Sequence, residues 1–552
     1  MTEYTAPIDD IKFLINNVLN SKELYDLPAF GSISEDLSNA VLDEAAKFAS
    51  EKLSPINREG DKIGCTVISG EITTPPGFKE AYQEFVANGW NSVPFSPEHG
   101  GQGLPWLIST AISEMWSSAN MAFGLCPLLT QGAVELLSSH GSDEQKEKYL
   151  GKLVSGEWTG TMCLTESQAG SDVGAIKTQA KKNGDHYLIK GQKIFITYGD
   201  HNYTDNIIHM VLARTPNAPK GTKGISLFIV PKILENGEKN DMRAISIEHK
   251  LGIHASPTCV LAFGDNEGAT GYLVGEENMG LKYMFTMMNN ARLGVGVEGV
   301  AISENSYQKA LEFAQERQQM GRPISEFPDV QRMLLTIKAQ TEAMRALSYY
   351  IAKSMDLAKH TDDEATKKQH QTIVNLLIPV LKSHATDIGV DMSSMALQVF
   401  GGVGYVEETG IAQNLRDSRI APIYEGTNGI QAMDLVMRKI TQENALAALS
   451  FDIQKICLGG NYNDEMLDAF SKLDGATKYL IELTRQDPEK AQFIAAYYLR
   501  MFGVIMGAAM MAACSKALVN DKSDYTKTKK ESIAFYMNYI LPEIDYLTRV
   551  MV

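Results

Sequence analysis

The sequence lacks the patterns that would assign it at once to a disulfide-bonded or metal-binding class. Its six cysteines form no C-x-x-C pair and no close cluster, so neither a disulfide framework nor a thiolate metal site is expected. The ten histidines include no H-E-x-x-H motif and no pair at helical i, i+4 spacing, so we predict no metal site. Unclustered thiols are typical of a reducing compartment, and we expect a cytoplasmic protein.

Basic charge and membrane-length apolar runs are missing as well. The formal net charge is −16, which repels a polyanion, so nucleic acid is not an expected partner. The first residues contain no basic segment followed by an apolar one, so no secretory signal is predicted. One apolar run covers 14 residues, 501–514, whereas a membrane span needs about 20. We expect this run to be a buried core helix, with no membrane as partner.

Composition and periodicity predict a soluble chain of mixed α and β structure with four domains. With 552 residues, of which 44% are hydrophobic and 21% charged, the chain is too long for one core. We predict an N-terminal helical domain over 1–158, with a small hairpin at 65–74, and a middle antiparallel β domain over 159–280. A four-helix bundle over 281–445, with long helices at 281–300, 303–319, 330–359 and 365–400, and an extra C-terminal helical domain over 446–552 complete the prediction.

The most informative motif is Tyr424-Glu425-Gly426-Thr427, which places one carboxylate in a short irregular segment. A glutamate in such a turn can project into a cleft. Burial there disfavours the ionised form and raises the pKa toward the range of a general base. The alternative is an ordinary solvated loop glutamate, and this motif alone does not separate the two.

Two β-rich motifs have the chemistry of a flavin site. Residues 162–171 join a strand to a polar, glycine-containing loop, whose hydroxyls and backbone N–H groups can hydrogen-bond a flavin ring and a pyrophosphate. The alternative is a strand followed by an Asx-type turn. Residues 194–197 form a second strand, whose Phe195 can pack beside an isoalloxazine ring or simply belong to the core.

Two helix ends carry the remaining motifs. Arg317 ends one helix and Gln331 opens the next, so an arginine can engage phosphate there or merely complement the helix dipole. Residues 398–402 end a long helix in two glycines, which permit close approach of a nucleotide or form a plain C-cap. Because Gly401-Gly402-Val403-Gly404 follows a helix and not a strand, it does not have the context of a dinucleotide-binding fingerprint.

Taken in order, these motifs resemble the acyl-CoA dehydrogenase family. The resemblance covers about 160 to 440, and 97–103 extend it weakly into the N-terminal helices. It implies FAD as cofactor, an acyl-CoA substrate, Glu425 as catalytic base and an electron-transfer flavoprotein as electron acceptor. The implied reaction is α,β-dehydrogenation of a short acyl-CoA thioester to the trans-2-enoyl-CoA. Tyr4-Thr5-Ala6-Pro7 and the additional C-terminal domain are most similar to the members that oxidise 3-(methylthio)propanoyl-CoA in dimethylsulfoniopropionate degradation.

The resemblance also implies individual contacts. Residues implied to contact FAD are Met162, Leu164, Thr165, Gly170, Ser171, Phe195, Ile196, Thr197, Arg317, Gln331, Gln398, Phe400, Gly401, Gly402, Thr427 and Asn428. Those implied to contact the substrate are Ser171, Asn289, Arg292 and Gly426. Arg317, Gln331 and 398–402 would reach the FAD of a neighbouring subunit. The additional C-terminal domain can cover the surface where two dimers would meet, so a homodimer is expected.

Three positions depart from the commoner pattern of the family. Phe195 stands where many relatives have Trp, Gln168 where they have Gly, and Asn289 where they have Asp. The first two are expected to alter flavin packing and the third the CoA contacts. A medium- or long-chain acyl-CoA dehydrogenase, an acyl-CoA oxidase and a non-enzymatic, DNA-associated member of the fold are the alternatives, and the net charge disfavours the last.

Overall fold

The computed structural model describes residues 4–68, 70–442, 444–518 and 523–551, which divide into two compact units. One unit comprises 1–51, 104–119 and 292–552, and the other comprises 52–103 and 120–291. The α-helices are α1 (Ile8–Lys12), α2 (Lys22–Tyr25), α3 (Glu35–Phe48), α4 (Ser54–Ile63), α5 (Phe78–Ala87), α6 (Trp106–Ala119), α7 (Met121–His140), α8 (Asp143–Ser155), α9 (Gly280–Glu316), α10 (Pro328–His360), α11 (Glu364–Phe400), α12 (Ile411–Ser418), α13 (Asn428–Asp434), α14 (Ala445–Cys457), α15 (Asn463–Gln486), α16 (Pro488–Ala517), α17 (Asp524–Phe535) and α18 (Glu543–Met551). The strands are β1 (Thr66–Ile68), β2 (Glu71–Thr73), β3 (Thr159–Cys163), β4 (Gln179–Asn183), β5 (His186–Thr197), β6 (Ile207–Ala213), β7 (Ser226–Pro231), β8 (Met242–Ile247), β9 (Thr258–Phe263), β10 (Ala269–Leu273), β11 (Gln318–Gln319) and β12 (Arg322–Pro323).

An eight-stranded sheet organises the second unit. The strand order is β3-β6-β7-β10-β5-β9-β8, with β4 added beside β5. Strands β6, β7 and β9 are buried along their whole length, which explains their continuous apolar sequences. Helix α7 lies so close against β3 that a Cβ on Gly160 would be only 2.5 Å from the Cβ of Ala133. The predicted hairpin at 65–74 is confirmed as β1 and β2.

One strand pair departs from the predicted antiparallel pairing. Strands β3 and β6 run parallel, with Met162 opposite Met210, while the other pairs of this sheet are antiparallel. Parallel neighbours need a long crossover, and here the chain forms β4 and β5 between them. β4 and β10 were missed, since the first is mostly polar at its exposed edge and the second contains Gly271.

The helical unit corrects two of the helix predictions. The helices predicted at 281–300 and 303–319 are one helix, α9, because Ala301, Ile302 and Ser303 continue it as buried residues. The range 281–400 therefore holds three long helices, and α16 is a further long helix packed on α10 and α11. The first long N-terminal helix, α3, is capped by Ser34, whose side chain accepts the Leu37 N–H.

Helices α9 and α11 approach each other closely at a pair of glycines. A Cβ on Gly299 would lie 2.3 Å from the carbonyl oxygen of Ala385, and one on Gly296 would lie 2.7 Å from a side-chain carbon of Leu381. Only the absence of side chains allows this approach. It brings polar residues of α9 and α11 to the same short segment that follows α12.

A buried ion cluster ties the N-terminal segment to the helices. The guanidinium of Arg345 donates to Glu114, Asp10 and Glu304 at 2.7, 2.9 and 2.7 Å. Lys529 of α17 donates to Asp10 at 2.6 Å. Burial opposes ionisation of Asp10, but the charges of Lys529 and Arg345 overcome it and lower the pKa of that carboxyl. We call Arg345 and its three carboxylates the Arg345 cluster.

Three helices are long and apolar enough to cross a membrane by length and composition alone. They are Met121–His140, Glu364–Tyr405 and Pro488–Ala517, and 83%, 83% and 78% of their most apolar windows are buried inside the protein. The run 501–514 lies within the third of them and is buried throughout, which confirms the predicted core helix.

Candidate active site

Glu425 lies on a tight turn between α12 and α13. Both Glu425 and Gly426 have left-handed backbone conformations, with φ of 56° and 84°. For a residue with a side chain this conformation costs about 1 kcal/mol or more and persists only where neighbouring groups hold it. The Glu425 side chain therefore points in a different direction from that of a residue on a helix.

Three buried side chains hold this turn by its carbonyl oxygens. Arg292 of α9 donates from Nε to the Glu425 carbonyl at 3.2 Å, and Lys382 of α11 donates from Nζ to the Gly426 carbonyl at 2.9 Å. Gln431 of α13 donates to both carbonyls, at 3.0 and 3.1 Å. We call these three residues the carbonyl clamp.

The residues that follow the turn anchor it by hydrogen bonds. Thr427 caps α13 by accepting the Ile430 N–H. The side-chain nitrogen of Asn428 donates to the carbonyl of Ser383, the hydroxyl of Thr386 and the carboxylate of Asp387, while its oxygen accepts Lys382 Nζ. Both polar atoms of Asn428 are thus occupied within the protein. The cofactor contact predicted for this residue is not supported by its side chain, which holds the turn instead.

The environment of Glu425 favours a base that ionises near neutrality. Burial raises the pKa of the Glu425 carboxyl to about 7, and the positive charges of Arg292 and Lys382 limit the rise. The residue keeps some accessible surface, so the carboxyl is surrounded by protein and still open to a ligand. Within the described residues, its backbone N–H donates to no acceptor. A free N–H beside a carboxylate is a suitable donor to a thioester carbonyl.

Arg292 was predicted to bind the CoA substrate, and its placement indicates a different role. Its side chain is 6% exposed, and burial lowers its pKa. A guanidinium in this position supports the backbone of Glu425 and is not presented to a phosphate at the surface. Gly426, also predicted to contact substrate, lies in the turn itself, and Asn289 is a partly exposed residue of α9 in the other unit.

The two β-rich motifs predicted to bind flavin are joined in the structure. The N–H of Ile194 donates to the carbonyl of Thr165 at 2.9 Å, and Lys193 donates to the Leu164 carbonyl at 2.8 Å. Lys193 also pairs with Glu166 at 2.9 Å, deep inside the unit. The strand that carries Phe195, Ile196 and Thr197 is therefore fixed to the loop that begins at Met162.

Glu166 organises the loop between Thr165 and Ser171. Its carboxylate accepts the N–H groups of Lys177 and Thr178 and the Thr178 hydroxyl. Burial would raise the pKa of Glu166, but the Lys193 charge and these hydrogen bonds lower it to about 2. Gln168 donates a further hydrogen bond to the carboxylate at 2.7 Å.

Phe195 sits on a bulge of β5 and is exposed. The pairing of β5 with β9 is interrupted between Lys193 and Ile196, and Phe195 has a φ of 59°. Its side chain is 59% exposed, whereas the next residue, Ile196, is buried in the sheet. An exposed aromatic ring held on a bulge is available to pack on a ligand, so the alternative of a core residue is wrong for Phe195 and applies to Ile196.

The donor set around Phe195 fits a flavin. The hydroxyls of Thr165, Ser171 and Thr197 have no hydrogen-bond partner in the described part of the chain. A Cβ on Gly170 would meet nothing within 4 Å, which leaves room for a ligand against the backbone. Met162 and Leu164 of the same motif are partly exposed. One ring, three hydroxyls and an open glycine are the groups that a flavin and its phosphates require.

The other predicted cofactor residues lie at one end of the long helices. Arg317 and Gln331 are exposed at the end of α9 and in the first turn of α10, joined by the β11–β12 hairpin. Gln398, Gly401 and Gly402 are exposed at the end of α11, and no atom would meet a Cβ on either glycine. The ring of Phe400 is buried and stacks on Phe313 at 4.2 Å, so it is a core residue there.

Sequence reasoning missed Lys382, Gln431, Glu166 and Lys193. Lys382 is completely buried, and burial lowers its pKa to about 8. A lysine inside the apolar stretch 376–383 was the available signal, because an unpaired buried lysine is costly and needs a reason. Among the residues that the structure describes, no group of three or more His, Cys, Asp or Glu side chains is placed to hold a metal ion.

Known proteins match this chain over nearly its whole length. Models of the N-terminal, middle and C-terminal domains of acyl-CoA dehydrogenase match 35–157, 161–266 and 278–440. The 3-methylmercaptopropionyl-CoA dehydrogenase of Ruegeria pomeroyi is 40% identical over 98% of this chain and 96% of that protein. The chain belongs to the acyl-CoA dehydrogenase family. It is therefore a flavin-dependent oxidoreductase with FAD as cofactor.

Solved structures of the family share the fold. The acyl-CoA dehydrogenase of Bacillus anthracis complexed with FAD is 22% identical, with a TM-score of 0.77 over 98% of this chain and 91% of that one. A chain described with the electron transferring flavoprotein of Acidaminococcus fermentans is 29% identical, with a TM-score of 0.62 over 73% of this chain and 97% of that one. A further model, described as acetyl-CoA dehydrogenase C-terminal like, matches 444–552 and covers α14 to α18 of this acyl-CoA dehydrogenase.

Proposed function

We propose that this acyl-CoA dehydrogenase converts 3-(methylthio)propanoyl-CoA to 3-(methylthio)acryloyl-CoA in dimethylsulfoniopropionate degradation. The observation that carries the proposal is the 40% identity to 3-methylmercaptopropionyl-CoA dehydrogenase over 98% of the chain. That match includes the C-terminal helical region as well as the part of the chain that carries the turn at Glu425.

In this reaction Glu425 is the base that removes the α-proton of the thioester. Its pKa of about 7 makes it a stronger base than an ordinary glutamate while leaving much of it ionised at neutral pH. The free N–H of Glu425 donates to the thioester carbonyl as negative charge develops there, a contribution of about 3 kcal/mol for one such donor. The carbonyl clamp keeps the carboxylate and the N–H in fixed relation to each other.

FAD supplies the hydride acceptor for the β-hydrogen, so that loss of one proton and one hydride leaves the new carbon–carbon double bond. We infer that Thr165, Ser171 and Thr197 hold it by hydrogen bonds and that Phe195 packs on its ring. Glu425 keeps the abstracted proton until the product leaves. An electron-transfer flavoprotein is the proposed electron acceptor, supported by the similarity to a chain described with such a protein.

An anaerobic titration of the yellow holoenzyme with acyl-CoA thioesters tests the proposed substrate. We expect 3-(methylthio)propanoyl-CoA to bleach the flavin absorbance faster, and at lower concentration, than octanoyl-CoA or palmitoyl-CoA. Preferred bleaching by the longer thioesters would replace the proposal with a medium- or long-chain activity. Rapid hydrogen peroxide release in air would indicate an oxidase.

We propose a homodimer located in the cytoplasm. Exposed apolar residues at the β11–β12 turn and after α11 support the dimer, in particular Met320, 92% exposed, and Tyr405, 87% exposed. All six cysteines are unpaired, as expected in a reducing compartment.

Arg317→Ala is expected to weaken FAD retention, measured by the ratio of flavin to protein absorbance, and to reduce the dimer fraction, measured by light scattering. The variant Arg332→Ala, at an exposed arginine, is the control. Unchanged FAD content and mass in Arg317→Ala would count against the shared site.

Fractionation of cells that express the protein tests its location. We expect the activity in the soluble cytoplasmic fraction, and its recovery with the membranes would contradict this proposal.

A further inference from the structure

A second carboxyl group is buried next to the Glu425 turn and has no assigned role. Glu298 of α9 is 1% exposed, and the hydroxyl of Tyr424 donates to its Oε2 atom. Its Oε1 atom has no hydrogen-bond partner among the described residues, and no lysine or arginine of that part of the chain forms an ion pair with it. A buried acid with one unpartnered oxygen, hydrogen-bonded to the residue that precedes the base, calls for an explanation.

A charge on Glu298 would be poorly compensated. Burial raises the pKa of the Glu298 carboxyl to about 8, the negative charge of Glu425 raises it further, and the Tyr424 hydrogen bond and Lys382 lower it. The carboxyl therefore keeps its proton at neutral pH. The charged and titratable groups that act on this pair are Tyr424, Lys382 and Arg292.

The Tyr424 hydroxyl also completes the support of the turn. The carbonyl clamp holds the carbonyls of Glu425 and Gly426, whereas the Glu298–Tyr424 bond holds the side chain that precedes them. Glu425 has a positive φ, a conformation that neighbouring groups must hold in place. Rotation of the backbone at Tyr424 would change the direction of the Glu425 carboxylate. Support on both sides of the residue fixes that direction.

We propose that Glu298 is a positioning residue for Glu425: through the Tyr424 hydroxyl it orients the base. The inference rests on the proposed role of Glu425. Because Glu298 keeps its proton while Glu425 ionises, replacing it by a neutral hydrogen-bond acceptor should leave the pKa of Glu425 near 7, and only loss of the Tyr424 hydrogen bond should slow proton removal.

Four variants test the orienting role. Glu298→Gln keeps an oxygen acceptor for Tyr424 but cannot ionise, while Glu298→Leu removes both properties. Tyr424→Phe removes the donor, and the double variant Tyr424→Phe/Glu298→Leu closes a double-mutant cycle. The measurement is the rate of anaerobic flavin reduction in the FAD-loaded protein between pH 5.5 and 9, with both 3-(methylthio)propanoyl-CoA and butyryl-CoA.

We expect Glu298→Leu to reduce flavin about tenfold or more slowly than Glu298→Gln at the plateau, since small displacements of a base are costly. The flavin-reduction rate of Tyr424→Phe should fall by a similar factor. The rate of the double variant should fall no further than that of either single variant. In Glu298→Gln, which keeps an acceptor for the Tyr424 hydroxyl and replaces a neutral acid, the reduction rate and its pH midpoint near 7 should stay close to those of the wild type.

Two results would overturn the inference. One is a flavin-reduction rate of Tyr424→Phe equal to that of the wild type; the other is a double variant whose loss of rate is the product of the single losses. If Glu298→Leu does not retain FAD, Tyr424→Phe and Glu298→Gln still decide the matter, because each alters only polar atoms. Wild-type protein that is not bleached by either thioester would refute the proposed function instead, which distinguishes the two failures.

Discussion

The rate of flavin reduction is expected to depend on pH with a midpoint near 7. The cause is the burial of Glu425, which raises its pKa from an ordinary 4.5 to about 7 against the opposing charges of Arg292 and Lys382. Only the ionised carboxylate can accept the α-proton, so the rate follows the ionised fraction. At pH 6 a group with a pKa of 7 is about one tenth ionised, whereas one with a pKa of 4.5 is about 97% ionised.

Single-turnover reduction by a saturating thioester, followed at the flavin absorbance band, measures this dependence. We expect about a tenfold loss of rate between the plateau above pH 8 and pH 6, and a further tenfold at pH 5. Lys382→Met should move the midpoint to higher pH, because the lysine's positive charge favours the carboxylate. The exposed Glu364→Gln is the control and should leave the profile in place. A rate that stays within a few per cent of the plateau at pH 6 would refute the reasoning.

Two further predictions concern buried ion pairs. Lys193→Met leaves the Glu166 carboxylate buried without its cation, so we expect loss of FAD during gel filtration, while the exposed Lys190→Met retains it; full FAD content in Lys193→Met would contradict this. Arg345→Met leaves three carboxylates of the Arg345 cluster without their shared cation. It should destabilise the protein by about 3–5 kcal/mol, seen as a Tm several degrees lower than that of the exposed Arg332→Met. Equal Tm values would show that the cluster adds no net stability.

The sequence was sufficient for the elements whose signals are local. Glu425 could be found because its turn has the short motif Tyr424-Glu425-Gly426-Thr427, and the hairpin at 65–74 could be found because its β-branched residues stand between helical segments. β4 escaped because its residues are polar at a sheet edge. The break predicted near residue 302 was wrong because nothing in the sequence there ends a helix, and burial favours its continuation.

The rest of the site depends on contacts between distant segments. Lys382 precedes Glu425 by 43 residues, counted from their numbers, and Arg292 lies on another helix, so no local pattern links them to the turn. Their meeting depends on the close approach of α9 and α11 at Gly299, which sequence periodicity does not reveal. The contact of Arg292 with the Glu425 carbonyl was missed for the same reason, since an arginine that supports a carbonyl cannot be told in sequence from one that binds phosphate.

The central claim is that the Glu425 carboxylate withdraws a proton from the acyl chain, and one substitution tests it most directly. Glu425→Gln has nearly the same shape and keeps the free N–H and the carbonyl clamp, so it should be purified yellow with a full complement of FAD. The account predicts that 3-(methylthio)propanoyl-CoA binds this variant without bleaching it under anaerobic conditions, a loss of about a thousandfold or more in reduction rate. Bleaching at a rate close to that of the wild type would contradict it.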